Sequence, residues 1–222
     1  MISAGLSRTV THRCFDMEDH YAFERSYWGD CCNTFDEERK QFTYAKHMGL
    51  KEAGPFSFDM EGKSVIDIGG GPVSLLLKCV NLHHGMVVDP IAYPEWTKDR
   101  YRAKDIYVLQ ARGEELTYME SVFDEVWIYN CLQHVDNIEK LLRNALGRAS
   151  TLRFFEWVDI PPHEGHPQML TSGLLEELLR DTVGSGFHSL DATTPVFNDP
   201  HGCNGKAYAG VLKYTRVSVK KA

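Results

Sequence analysis

The sequence predicts an α/β domain: a mainly parallel sheet of seven strands whose last two form an antiparallel hairpin, preceded by a helical cap. Three observations carry this. From Ser64 onward, short apolar runs alternate with helix-like stretches. The first run ends in three successive glycines, Gly69, Gly70 and Gly71. The final two runs are joined by a Gly/Pro/Asn-rich loop with no room for a crossover helix, so they pair antiparallel.

Taken in order, residues 1–60 form the cap, polar and aromatic-rich, with one clear helix. Thr34 followed by Glu37 is a capping-box start, Gly49 is a stop, and Phe35, Phe42, Ala45 and Met48 recur at helical spacing between them. Breaks at Gly54-Pro55 and at Glu61-Gly62-Lys63 separate it from the domain of residues 61–222. There, residues 64–68 are a strand, 72–82 a helix with Pro72 in its first turn, and 86–88 a strand ending at Asp89. Residues 94–101 are helical, 106–109 and 125–129 are strands, and 136–146 is an amphipathic helix stopped by Gly147. A strand at 152–158, a helix at 171–183 capped by Thr171, and strands at 186–190 and 207–217 complete the chain.

Composition narrows the function. The chain has 222 residues, 43% of them apolar, enough for one domain with its own core. Its 24 lysines and arginines against 31 aspartates and glutamates give a net charge of −7. That balance argues against extended nucleic acid binding, which draws its affinity from cations neutralising phosphates. Six scattered cysteines without a CxxC pair suit reduced thiols. With no signal-like or membrane-length apolar run, a cytoplasmic protein is expected.

A sheet of this kind binds ligands beyond the carboxyl ends of its strands. After the first strand, Gly69, Gly70 and Gly71 let the backbone turn tightly and approach a ligand, while the following helix would present free N–H groups. The bland alternative is a tight strand-to-helix turn. Asp89, eighteen residues past Gly71, stands where an acid accepts two ribose hydroxyls; its alternative is to open the Asp89-Pro90 turn.

At these residues the sequence resembles the class I S-adenosylmethionine-dependent methyltransferases, over roughly residues 64–158 and the terminal hairpin. The resemblance implies a Rossmann-like fold and S-adenosyl-L-methionine as cofactor, with Asp67, Gly69 and Gly71 on the family's first motif and Val73 at its less regular third glycine position. The implied cofactor-binding set is Asp67, Gly69, Gly70, Gly71, Asp89, Pro90, Gly113, Glu114, Asn130, Cys131 and Leu132. Gly113 and Glu114 look like the adenine-contacting loop, although Arg112 stands where members often carry an acid. The run from Phe123-Asp124 to Asn130-Cys131-Leu132-Gln133-His134 resembles the fourth-strand motif of small-molecule methyltransferases, which implies that the loop from Asn130 to Leu132 lies near the transferable methyl and that His134 faces either cofactor or substrate.

His134 is the candidate catalytic base; the competing reading has it capping the next helix or packing against the cofactor. Tyr21, Trp28, Glu156, His163 and His166 are the candidate substrate-binding residues. His163 and His166 with Glu156 or Asp159 would make a metal site only by a geometry that a proline-rich loop does not supply, so no metal is expected. The expected partner is a small-molecule methyl acceptor such as a sugar, nucleotide-sugar or natural product, with oxygen ahead of nitrogen and no membrane. Two alternatives remain: a nicotinamide-dependent oxidoreductase sharing the glycine turn and ribose acid, and a non-catalytic cofactor-binding subunit, which the unusual Arg112 favours.

Overall fold

The computed structural model describes residues 17–118, 122–198 and 204–217. Cys14 and Cys203 lie outside these residues, whereas Cys31, Cys32, Cys79 and Cys131 are free thiols. Helices α1 (Met17–Trp28) and α2 (Thr34–His47) come first, then β1 (Glu52–Gly54) and β2 (Ser57–Asp59). The alternating part follows as β3 (Ser64–Ile68), β4 (Cys79–Val80), β5 (His84–Asp89), α3 (Glu95–Arg102), β6 (Ile106–Gln110), β7 (Glu125–Tyr129), α4 (Ile138–Leu146), β8 (Thr151–Val158) and α5 (Ser172–Val183). The chain ends in β9 (Phe187–Thr193), β10 (Val196–Asn198) and β11 (Asn204–Tyr214).

The main sheet runs β11-β8-β7-β3-β5-β6, with β9 and β10 both paired to the outer side of β11. From β8 to β6 every pairing is parallel. The last strand, β11, lies antiparallel to both β8 and β9, which gives the expected reversed hairpin. Strands β9 and β10 occupy one position along that edge, separated at Pro195, which has no N–H to give a ladder. Eight strands thus fill the seven positions expected.

Each face of the sheet has its own core. Ile66, Ile68, Val126, Ile128 and Phe154 pack with the apolar sides of α4 and α5. On the other face Val65, Val87, Trp127, Phe155 and Trp157 pack with Tyr44, Ala45 and Met48 of α2. The cap helix is therefore built into the domain core. The Arg153 guanidinium on β8 reinforces this by donating to the carbonyls of Met48 (2.7 Å) and Gly49 (2.9 Å) at the end of α2, where Gly49 takes φ +67° as the predicted stop.

Two local expectations are corrected. Asn33, not Thr34, precedes α2 and makes no side-chain cap; Thr34 is a buried first helical residue, and Phe35, placed on the apolar stripe, is 66% exposed. The helix expected over residues 72–82 is absent. In its place a 3-10 turn spans Leu75–Lys78, and Cys79–Val80 pairs in parallel with β2. Tertiary contacts take the groups that a helix would use: Ser74 N donates to the Tyr101 hydroxyl (2.7 Å), Leu75 N to the Tyr129 hydroxyl (2.9 Å), and the Val73 carbonyl accepts from the Gln41 amide. With α2 already covering that face of the sheet, a crossover helix has no surface left to bury.

Candidate active site

Strand order reverses at β3, whose neighbours β5 and β7 lead off in opposite directions, and a crevice opens beyond the carboxyl ends of such strands. Here it is a cavity of about 420 Å³, floored by the glycine turn and the ends of β5 and β7, and roofed by α1, α2 and the loop after β8.

The turn depends on its glycines. Gly69 (φ +77°) and Gly71 (φ +64°) occupy the left-handed region, and a Cβ on Gly69 would fall 2.3 Å from the Cys131 sulfur. Beneath it, Asp67 is fully buried and accepts from the Ser74 hydroxyl and the Tyr129 hydroxyl (2.6 Å). Its Oδ1 has no hydrogen-bond partner, and burial pushes the carboxyl up to about 7. Asp67 supports the turn from below without lining the cavity.

Asp89 lines the cavity and accepts from Gly71 N (3.1 Å), Ile91 N (2.9 Å) and the Tyr93 hydroxyl (3.1 Å). Burial, opposed by these bonds, raises its carboxyl to about 6. Pro90 lines the wall beside it. Gly113 also lines the cavity and must be small, since a Cβ there would lie 2.7 Å from Leu141 Cδ1. Glu114 is at the surface of the cavity too, but its carboxylate accepts from Asp136 N (3.0 Å) and Asn137 N (3.3 Å), ahead of α4. Arg112 pairs with Asp136 (2.6 Å) and sets its guanidinium 4.9 Å from the Tyr21 ring centroid. A basic residue at this position thus latches α1 onto the loop after β6.

Beyond β7, Asn130 (φ +48°) and Cys131 line the cavity, whereas Leu132 turns into the core. The loop is held by Glu156, which is fully buried, does not line the cavity, and accepts from Cys131 N and Leu132 N at 3.2 Å. Burial raises its carboxyl to about 8. Expected among the substrate-binding residues, Glu156 instead lies behind the cavity wall and holds the backbone of the loop after β7.

His134 lines the cavity with Nδ1 3.2 Å from Glu24 Oε1 on α1, and its ring stands edge-on to His166, centroids 4.8 Å apart. His163 and His166 exchange backbone hydrogen bonds (2.9 and 3.0 Å), so the loop doubles back and brings both rings to the wall. Asp159 is engaged with Lys206 at 2.7 Å, so neither acid of the metal reading joins these histidines. Among the described residues no group of three or more His, Cys, Asp and Glu is arranged to hold a metal. Tyr21 and Trp28 line the roof together with Phe23 and Tyr27.

Sequence reasoning did not assign Glu24, Glu37, Lys40 or Tyr93 to the site. Glu37 and Lys40 share a helical face with Gln41 and Tyr44, and that periodicity was the available signal. It is a polar stripe, so a search for apolar residues passes over it.

Residues 66–147 match the model of a methyltransferase domain. No curated protein matches in sequence. Among solved structures, the chain is similar to an S-adenosylmethionine-dependent methyltransferase of Thermotoga maritima described as a possible histamine N-methyltransferase (16% identity, 89% of this chain and 97% of that one, TM-score 0.54). It is also similar to the plantazolicin methyltransferase BpumL in complex with S-adenosylhomocysteine (13%, 89% and 95%, 0.58) and to the [4+2]-cyclase SpnF (14%, 82% and 82%, 0.56). At such identities the structures show the fold alone. The comparisons thus give a methyltransferase-domain match over residues 66–147 and, over most of the chain, the fold found in S-adenosylmethionine-dependent methyltransferases.

Proposed function

We propose that the protein methylates a small-molecule acceptor held between α1 and the His163–His166 loop, at oxygen in preference to nitrogen. The observation that carries this is the Glu24–His134 contact, with His166 at its edge, in the same cavity as the glycine turn and Asp89.

The residues present fit the cofactor. The turn approaches a ligand with no side chain in the way, and the buried Asp67 Oδ1 lacks a partner below it. Asp89 would receive the ribose hydroxyls, with Pro90 and the Gly113–Glu114 backbone flanking the nucleoside and Asn130 and Cys131 the sulfur end. When bound, S-adenosylmethionine supplies a methyl already activated on a sulfonium, so the chain's own work is alignment, exclusion of water and removal of a proton. His134 would take that proton from an acceptor hydroxyl, with Glu24 Oε1, 3.2 Å from its Nδ1, orienting the ring. Tyr21, Phe23, Tyr27 and Trp28 would close the roof over the reacting groups.

Isothermal titration with S-adenosylmethionine, S-adenosylhomocysteine and NADH tests the cofactor: the first two bind and the third does not. Binding of NADH alone would sink the reading. With labelled S-adenosylmethionine, a panel of hydroxyl- and amine-bearing small molecules tests the acceptor, and label appearing only on amines would overturn the preference for oxygen. Arg112 gives no support to a non-catalytic subunit, since its contacts with Asp136 and Tyr21 account for a basic residue there.

A further inference from the structure

The polar face of α2 brings an acid and a base to the cavity wall. Glu37, Lys40, Gln41 and Tyr44 follow the i, i+3, i+4, i+7 spacing of a helical stripe facing inward. Gln41 fixes where that stripe lies: its fully buried amide donates to the Val73 carbonyl just past the glycine turn, and its Oε1 accepts from Lys78 Nζ (2.6 Å). Glu37 and Lys40, one helical turn and one residue ahead, are thereby held against the cavity at its glycine-turn end.

These two make an ion pair at 3.4 Å, with side chains 13% and 23% exposed. Burial raises the Glu37 carboxyl, and Lys40, Tyr44 and His134 oppose that rise. Apart from histidines, the described cations lining the cavity are Lys40 and Arg112, and Arg112 is engaged elsewhere with Asp136 and Tyr21. An exposed i, i+3 pair adds a few tenths of a kcal/mol to a helix. A desolvated pair costs more than that unless further charges complete its surroundings.

Resting on the S-adenosylmethionine reading, we propose that Glu37 and Lys40 form a clamp of inverse polarity for the amino-acid end of the cofactor, Lys40 receiving its carboxylate and Glu37 its ammonium. An α-amino acid carries opposite charges a few bonds apart. Laid head to tail against an acid–base pair, it gives four alternating charges in which each meets two of opposite sign, and charge-assisted hydrogen bonds replace the lost hydration. The clamp also discriminates. A nucleoside without an amino-acid end gains nothing from it, and a dinucleotide pyrophosphate brought there meets the Glu37 carboxylate.

Isothermal titration with S-adenosylhomocysteine and with 5′-methylthioadenosine, which lacks the amino-acid end, tests the clamp without a methyl acceptor. Lys40→Met and Glu37→Gln should each lower affinity for S-adenosylhomocysteine about tenfold or more, the scale of a hydrogen bond to a charged group, and leave that for 5′-methylthioadenosine unchanged. Retained 5′-methylthioadenosine binding also certifies a folded site. Unchanged S-adenosylhomocysteine affinity in Lys40→Met, or equal weakening of both ligands, overturns the clamp. If the unaltered protein binds 5′-methylthioadenosine as tightly as S-adenosylhomocysteine, the clamp fails and the cofactor reading survives; if it binds neither, both fail.

Discussion

Asp89 already uses three of its carboxylate's roughly four acceptor positions on Gly71 N, Ile91 N and the Tyr93 hydroxyl. On the proposed reading, a ribose would meet the remaining position and a tyrosine hydroxyl that can turn away, so one residue would both shape the turn and receive the ligand. Asp89→Ala should weaken S-adenosylhomocysteine binding by about 1–3 kcal/mol, measured by titration calorimetry; unchanged affinity would refute the ribose role. The charged carboxylate is the better acceptor and its pKa is raised to about 6. Affinity should therefore fall as pH drops through that value, and Asp89→Asn should remove this part of the dependence. At His134, replacement by alanine should abolish methyl transfer while leaving cofactor affinity nearly intact. The reverse pattern would mark it as a packing residue. That Asp89 and the glycines stand together at the strand ends around one cavity was legible from their spacing, and the place of His134 beyond β7 from the resemblance of its motif. Glu24 was not, since its partner His134 is distant in sequence and only folding brings them together.

At the scale of elements, the glycine turn separates two demands that sequence alone merges. Gly69 and Gly71 both hold positive φ, which costs an L-residue about 1–2 kcal/mol, but only Gly69 has a neighbour in the way, the Cys131 sulfur at 2.3 Å. Gly71 has nothing nearer than the Tyr93 hydroxyl at 3.9 Å. Urea unfolding should show Gly69→Ala destabilising the protein clearly more than Gly71→Ala; equal losses would mean that backbone conformation alone governs the turn. The strands were legible because buried apolar runs punctuated by glycine and acid leave few other readings, and residues 125–129 form β7 with the bounds expected. The segment 72–82 was not. Its leucines satisfy a helical pattern locally, but Tyr101, Tyr129 and Gln41, contributed from three other elements, take its backbone groups.

Across the whole molecule, the buried acids set how stability responds to pH. Asp67 and Glu156 have folded-state pKa values raised to about 7 and about 8, mainly by burial. Because these exceed ordinary carboxyl values, the stability they contribute is complete in acid below the unfolded-state pKa and is lost as pH rises through about 7 and about 8. The Tm of the ligand-free protein should fall across that window, and Glu156→Gln should flatten its upper part; a Tm rising there would contradict the assignment. The fold class could be read from the sequence because strand and helix signals alternate along it, but not that α2 would complete the core, since its partners Phe155 and Trp157 lie on β8. The Arg153 bond to the Met48 carbonyl spans 105 residues. During synthesis α2 therefore leaves the ribosome long before the surface that receives it exists. At roughly 5–20 residues per second it waits several seconds or longer, its inward face without a place to dock. The nascent chain cannot assemble the cofactor crevice piecemeal from its N-terminus; the crevice takes shape when β8 is made and the early helix is recruited back onto it.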